Sequence, residues 1–184
     1  SLSIPLNIGY AILKTVYGFV LHSNWIVQNG VYYALLTLMR FIIIRGAEKN
    51  EEDKALKLSS IILSISSFHY LLMDLEMYLH TSSPHYPGYI VYAASLYAFI
   101  KVGVAIKGCI KLKTTATPAI VAGNNLKISH AFVSLIFLES GMLNIFGEGT
   151  EEERLILLIS GLVVVAYLFV SGLLLIVLNK RNKG

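Results

Sequence analysis

The sequence contains little charge and almost no cysteine, and each of these features excludes some classes of protein. Charged residues make up 14% of its 184 residues, whereas an ordinary soluble domain carries about 25%. The one cysteine, Cys109, has no second cysteine in the chain with which to pair, which excludes a disulfide-stabilised secreted domain. Because 55% of the residues are hydrophobic, low-complexity disorder is excluded as well. These values predict a polytopic membrane protein.

The sequence also lacks the short motifs that identify common enzymes and channels. It contains no nucleophile elbow, phosphate-binding loop, TVGYG filter, CxxC pair or paired-aspartate motif. The net charge is +4, but no basic face interleaved with aromatic residues accompanies it, so no nucleic-acid partner is predicted. We expect membrane lipids as partners and predict no cofactor.

Six apolar segments are long enough to cross a membrane, since a spanning helix needs about 20 mostly apolar residues. The polar stretches between them suit short connections, so residues 1–184 are predicted to form one all-α domain, a bundle of six transmembrane helices. The first segment carries Lys14 at its centre and has no basic leader, which favours a span over a signal peptide. The predicted spans are 4–22, 25–45, 56–80, 88–112, 127–147 and 155–178.

The distribution of Lys and Arg predicts the orientation of these spans. Basic residues are enriched on cytoplasmic loops, and most of the 15 in this chain fall at cytoplasmic ends if the N-terminus is cytoplasmic. Arg40, Arg45 and Lys127 are among them. We therefore predict a multi-pass cell-membrane protein with both termini in the cytoplasm, and with Trp25 and Tyr92 as aromatic anchors at the outer interface.

Several short stretches suggest that the chain contains two halves of three spans. Tyr10 to Lys14 matches Tyr97 to Lys101 at an offset of 87 residues, and Ala34 to Leu38 matches Ala131 to Leu135 at an offset of 97. Halves with an odd number of spans must be inverted relative to each other, as in many secondary transporters. The pattern predicts a 3+3 inverted repeat that brings the first helices of the two halves together, with the extra residues in a loop over 113–126.

Ionisable residues inside the predicted spans include Lys14, His69, Asp74, Lys101 and Glu139. A lysine or aspartate at the centre of a span costs about 2.5–3.5 kcal/mol, so these residues are candidates for a substrate- or ion-binding site. At about 1.5 Å per residue, Lys14 and Glu139 both lie about 12 Å from the outer ends of their spans. We therefore predict an ion pair between them, with Asp74 as a competing partner. The alternative is that these charges only fix helix packing.

The third span also contains a candidate metal site. Glu76 and His80 lie four residues apart and therefore share one face of a helix, and carboxylate and imidazole are both zinc ligands. A third ligand would come from another outer loop. Glu76 is also a second competing partner for Lys14, and hydrogen bonding at the interface is the alternative role for His80.

Three stretches of the chain resemble a family of small, uncharacterised six-span bacterial integral membrane proteins. They run from Tyr86 to Lys101, from Val31 to Arg40 and from Leu138 to Gly147. This resemblance implies a bacterial membrane location and no particular activity. The size and the six spans are also similar to the substrate-binding subunits of energy-coupling-factor vitamin transporters; that similarity is architectural and rests on no residue motif.

These observations lead to three hypotheses for function. The first is a permease for a small solute or ion, in which two rocking halves expose the charged site alternately to each side. The second is a non-catalytic membrane subunit that binds a ligand or a partner complex, as a homo-oligomer or with another membrane protein. The third is a membrane-embedded metal-dependent enzyme that uses Glu76 and His80.

Overall fold

Six α-helices account for nearly all of the structure. A computed structural model describes residues 3–49, 51–79, 88–112 and 117–181, and no strand occurs in these ranges. The helices are α1 (Ser3–Val20), α2 (Asn24–Glu48), α3 (Glu52–Leu79), α4 (Gly88–Leu112), α5 (Pro118–Phe146) and α6 (Glu151–Arg181). The all-α prediction is confirmed.

Among the residues that the structure describes, five helices, α2 to α6, are long and apolar enough to cross a membrane. Their outward faces carry large exposed hydrophobic side chains, for example Ile159, Val163 and Val170 on α6. Apolar surface of this extent marks contact with a membrane or a partner rather than with water. The chain is therefore a helical membrane protein.

The helix bounds agree with the predicted spans except at the start of the fifth. Helix α5 begins at Pro118, whereas the sequence predicted a loop over 113–126 and a span from residue 127. Proline is well tolerated at the first position of a helix because its missing N–H has no partner there. The Thr117 side chain accepts a hydrogen bond from the Ile120 backbone N–H and caps the helix. Residues 118–126 therefore extend the helix instead of forming a loop.

Helix α3 lies near the centre of the bundle and packs against α2, α5 and α6. Small residues permit its close approach to α6: an added Cβ at Gly172 would lie 3.1 Å from Ser64 Oγ, and one at Gly161 would meet the Asp74 carboxyl group. Small residues at such interfaces let the backbones of membrane helices come together.

The polar residues of the spans point inward, which is the reverse of the arrangement in a soluble bundle. Asn7, Asn29, Asp74 and His130 are each at least 97% buried. Trp25, predicted at the outer interface, is buried within the bundle, and its ring stacks on Phe137 with 5.2 Å between centroids. Tyr92, by contrast, is 74% exposed.

Contact between α1 and α2 depends on glycine at position 18. A Cβ added there would lie 2.7 Å from the backbone nitrogen of Val27, whereas one at Gly9 on the same helix would meet nothing within 4 Å. We expect Gly18→Ala to destabilise the protein by about 1–3 kcal/mol, because the backbones must separate. Thermal unfolding in detergent measures this effect. Gly9→Ala, the matched control, should not lower the melting temperature, and equal losses in both variants would contradict the packing.

Candidate functional site

The amine of Lys14 occupies a buried position between α1, α2 and α5. It donates a 2.6 Å hydrogen bond to Asn29 Oδ1, and Lys14 is only 3% exposed. Nζ also lies 3.4 Å from the ring centroid of Phe137, 4.6 Å from that of Tyr33 and 4.9 Å from that of Tyr10. Aromatic faces attract a cation, so three rings and one amide replace the water that the amine lost on burial.

A second lysine reaches the same aromatic cluster from α4. Lys101 Nζ donates a hydrogen bond to Asn7 Oδ1 on α1 and lies 4.8 Å from the ring centroid of Tyr97. The Tyr97 ring stacks on Tyr10, with 3.8 Å between centroids and 15° between planes. The first helices of the two proposed halves therefore meet through the Tyr-Ala-x-x-Lys segments that suggested the duplication.

Tyr33 connects this cluster to α5. Its hydroxyl lies 2.7 Å from Ser134 Oγ, and its ring centroid lies 5.4 Å from that of His130. Both Tyr33 and His130 are buried, and neither ring nitrogen of His130 has a hydrogen-bond partner. A buried polar group without a partner is rare in a native structure and calls for a ligand or a bound water.

Two cavities lie toward opposite ends of the helices. The Trp25 cavity, of about 350 Å³, lies where α1 and α5 end and α2 begins; its lining includes Trp25, Glu76, Ser140 and Arg154. The His130 cavity, of about 170 Å³, lies where α2 ends and α5 begins, and its lining includes His130. The two cavities share no lining residue.

A continuous line of buried side chains joins these cavities. Trp25, in the first cavity, stacks on Phe137, and the Phe137 ring carries the Lys14 amine. Lys14 contacts the Tyr33 ring, which in turn contacts His130 in the second cavity. The Lys14 amine and the His130 imidazole therefore lie in a barrier of aromatic side chains between the two cavities.

The carboxyl groups of Asp74 and Glu139 form a separate cluster against α6. Ser160 Oγ donates a 3.1 Å hydrogen bond to Glu139 Oε1, and the Asp74 carboxyl group packs on the adjacent Gly161. Asp74 is 2% exposed and its Oδ2 has no hydrogen-bond partner. Two acids from different helices thus reach neighbouring residues of α6.

The predicted ion pair between Lys14 and Glu139 is wrong. The lysine bonds to Asn29 and the glutamate to Ser160, and neither Asp74 nor Glu76 replaces Glu139 as an ion-pair partner of Lys14. Phe137, two positions before Glu139, occupies the face of α5 that meets the lysine, and residues two positions apart on a helix point in nearly opposite directions.

Polar contacts between α2 and α3 involve two further predicted site residues. Gln28 Nε2 donates a 2.6 Å hydrogen bond to Glu76 Oε2, and His69 Nε2 lies 3.3 Å from the backbone oxygen of Gln28. Glu76 faces the Trp25 cavity. The five predicted binding residues are therefore distributed over three places: the aromatic cluster, the α6 contact and this interface.

The metal site remains a prediction because His80 lies outside the described residues. Within the described ranges, no group of three or more His, Cys, Asp or Glu side chains could hold a metal ion. Glu76, the other predicted metal ligand, accepts a hydrogen bond from Gln28.

Sequence reasoning missed Asn7, Asn29 and His130. All three are polar residues inside predicted spans, so the signal was present. The two amides carry no charge, so a search for ionisable residues does not find them, although Asn29 accepts a hydrogen bond from Lys14 and Asn7 one from Lys101. No family model, curated protein or solved structure matches the chain.

The Lys14–Asn29 contact can be tested by a double-mutant cycle. Asn29→Leu leaves the lysine without its hydrogen-bond acceptor, and we expect a loss of about 1–3 kcal/mol of stability. The double variant Lys14→Met/Asn29→Leu should recover part of that loss, because both polar groups are then replaced together. Chemical unfolding in detergent measures both. Strictly additive losses would show that the two side chains do not depend on each other.

Proposed function

We propose that the protein is a permease for a small solute or ion, with Lys14 at the centre of its translocation path. The observation that supports this proposal is a series of side-chain contacts that joins two separate cavities. It runs from Trp25 through Phe137, Lys14 and Tyr33 to His130. An ionisable group buried in a membrane bundle is costly, and it is retained where it binds a solute, moves a charge or pairs with another group. Lys14 pairs with the neutral Asn29 and with no acid of the described residues, so its charge stays available to a solute or to a moving ion.

The proposed mechanism is alternating exposure of Lys14 to the two cavities. Rocking of one group of helices against the other would open the Trp25 and Phe137 contact on one side, or the Tyr33 and His130 contact on the other. Both are contacts between aromatic rings, so opening either of them breaks no hydrogen bond between backbones. Asp74 and Glu139, close to the same barrier, are the groups proposed to bind a coupling proton or cation.

We propose that the six helices form the 3+3 inverted repeat predicted from the sequence, which would suit this mechanism. The contacts of α1 with α2 and of α2 with α3 have counterparts in those of α4 with α5 and of α5 with α6. The contacts of α2 with α5 and of α3 with α6 join helices that would be equivalent, whereas the contact of α3 with α5 has no counterpart between α6 and α2 in the described structure. The aromatic cluster itself contains two equivalent pairs, Tyr10 with Tyr97 and Tyr33 with His130.

The offset of 97 residues between Tyr33 and His130 also relates two hydrogen bonds within helices. Thr37 donates to the backbone oxygen of Tyr33, and Ser134 donates to that of His130, each four residues earlier in its helix. Both donors and both acceptors are separated by 97 residues in the chain. We propose that the first and second sets of three helices are the moving halves.

The bacterial family, the partner subunit and the metal-dependent enzyme stay predictions without a supporting contact.

Flux into proteoliposomes tests the permease proposal. Vesicles with a trapped pH dye and a membrane-potential dye would be challenged with gradients of phosphate, acetate, chloride and ammonium. We expect at least one gradient to collapse faster than in protein-free vesicles. Lys14→Met should slow this flux by about tenfold or more, the effect of losing roughly 1.4 kcal/mol of solute stabilisation.

Lys57→Met provides the matched control, because Lys57 is exposed on α3, away from both cavities. It should retain the wild-type rate. Flux equal to that of empty vesicles for every solute, or flux unchanged in Lys14→Met, would contradict the proposal.

The proposed orientation places the Trp25 cavity outside the cell and both termini in the cytoplasm. Single-cysteine variants in a Cys109→Ser background can test it, because Ala47 and Thr150 are both exposed at opposite ends of the helices. A membrane-impermeant maleimide should label Thr150→Cys in intact cells and Ala47→Cys only after lysis. The opposite labelling pattern would reverse the orientation.

A further inference from the structure

The His130 cavity is a basic pocket. Three of its lining residues are Arg40, Lys127 and His130, and the other walls are apolar side chains and a glycine. No acidic residue lines it. Its volume of about 170 Å³ far exceeds the roughly 10–15 Å³ that one water molecule requires. The pocket therefore has room for a ligand larger than water.

His130 supplies a hydrogen-bond donor that nothing in the described structure satisfies. The residue is 3% exposed, and neither Nδ1 nor Nε2 has a partner. An imidazole ring carries at least one N–H in either protonation state. Because the ring lines the cavity, an acceptor inside the cavity would satisfy this donor.

Arg40 and Lys127 supply charge without a counter-charge. Neither side chain forms an ion pair or a hydrogen bond within the described ranges. Lys101 lies near enough to interact electrostatically with His130, so the surroundings of the ring are positive on this side as well. Positive charges that line one cavity repel each other, and a bound anion would relieve this repulsion.

The chemistry of these groups selects an oxyanion. A guanidinium group presents paired N–H donors that match two oxygens of a phosphate or carboxylate, and an ammonium group binds phosphate as a point charge. The first turn of α5 adds a favourable dipole, because Ala119, the second residue of that helix, also lines the cavity.

The geometry points to a binding site for a phosphate-type oxyanion in the His130 cavity, held by Arg40, Lys127 and the N–H of His130. This inference rests on the proposed function, for which it names the substrate class. The same phosphate chemistry occurs in the free ion and in the head group of an anionic lipid, and the experiment separates these two sources.

Equilibrium binding of radiolabelled inorganic phosphate would be measured on the full chain in phosphatidylcholine nanodiscs. We expect saturable binding that weakens by about tenfold or more in Arg40→Gln and in Lys127→Gln, because each variant loses a charge-assisted hydrogen bond. Arg45→Gln is the matched control: Arg45 is exposed near the same end of α2, lies over Phe41 and does not line the cavity. Its binding should equal that of the wild type.

The second arm uses native mass spectrometry of protein from nanodiscs that contain phosphatidylglycerol. A retained lipid that is lost in the Arg40 and Lys127 variants, without binding of free phosphate, would assign the site to a lipid head group. Absence of both free phosphate and retained lipid would overturn the proposal. If the variants fail to fold, the wild type alone decides: phosphate should raise its melting temperature saturably, and potassium chloride of equal ionic strength should not.

These outcomes are separable from those of the permease test. Phosphate binding without flux would keep the site and remove the transport role. Flux of another solute that is unaffected by Arg40→Gln, with no phosphate binding, would keep the permease and reject this site.

Discussion

The burial of the Lys14 amine constrains the arrangement of the helices around it. A lysine in the apolar interior needs an acceptor and polarisable surroundings, and Asn29, Phe137, Tyr33 and Tyr10 supply them from three helices. Fixing α1, α2 and α5 around one amine also determines where the Trp25 and His130 cavities end. The barrier between the cavities and the candidate site are therefore the same set of side chains.

The two ends of this barrier differ in charge. The Trp25 cavity mixes acidic and basic residues, including Glu76 and Arg154, whereas the ionisable residues described around the His130 cavity are all basic. An anion would gain electrostatic stabilisation on moving toward Arg40, and Lys14 lies between the two environments. Asp74 and Glu139 lie aside from this line, against α6, so that acidic and basic groups occupy separate parts of the interior.

Much of the fold could be predicted from the sequence, because apolar run length is set by the thickness of the bilayer. The exception, residues 118–126, was assigned to a loop since Pro118 and Gly123 are common in loops, yet a proline at the first position begins a helix equally well. The partners of the buried charges could not be predicted. Depth along a helix axis follows from residue number, but rotation about that axis decides which neighbour a side chain meets, and it turned Lys14 toward Asn29 rather than Glu139.

The stacked rings of Tyr10 and Tyr97 have a mechanical consequence. Within the described structure, α1 and α4 are joined by side chains alone, through this stack and the bond from Lys101 to Asn7. The stack is held by many weak contacts between ring atoms, each worth about 0.1–0.2 kcal/mol, and it contains no directional bond. The contact between α1 and α4 therefore has no close backbone packing beneath it, unlike the contact between α3 and α6.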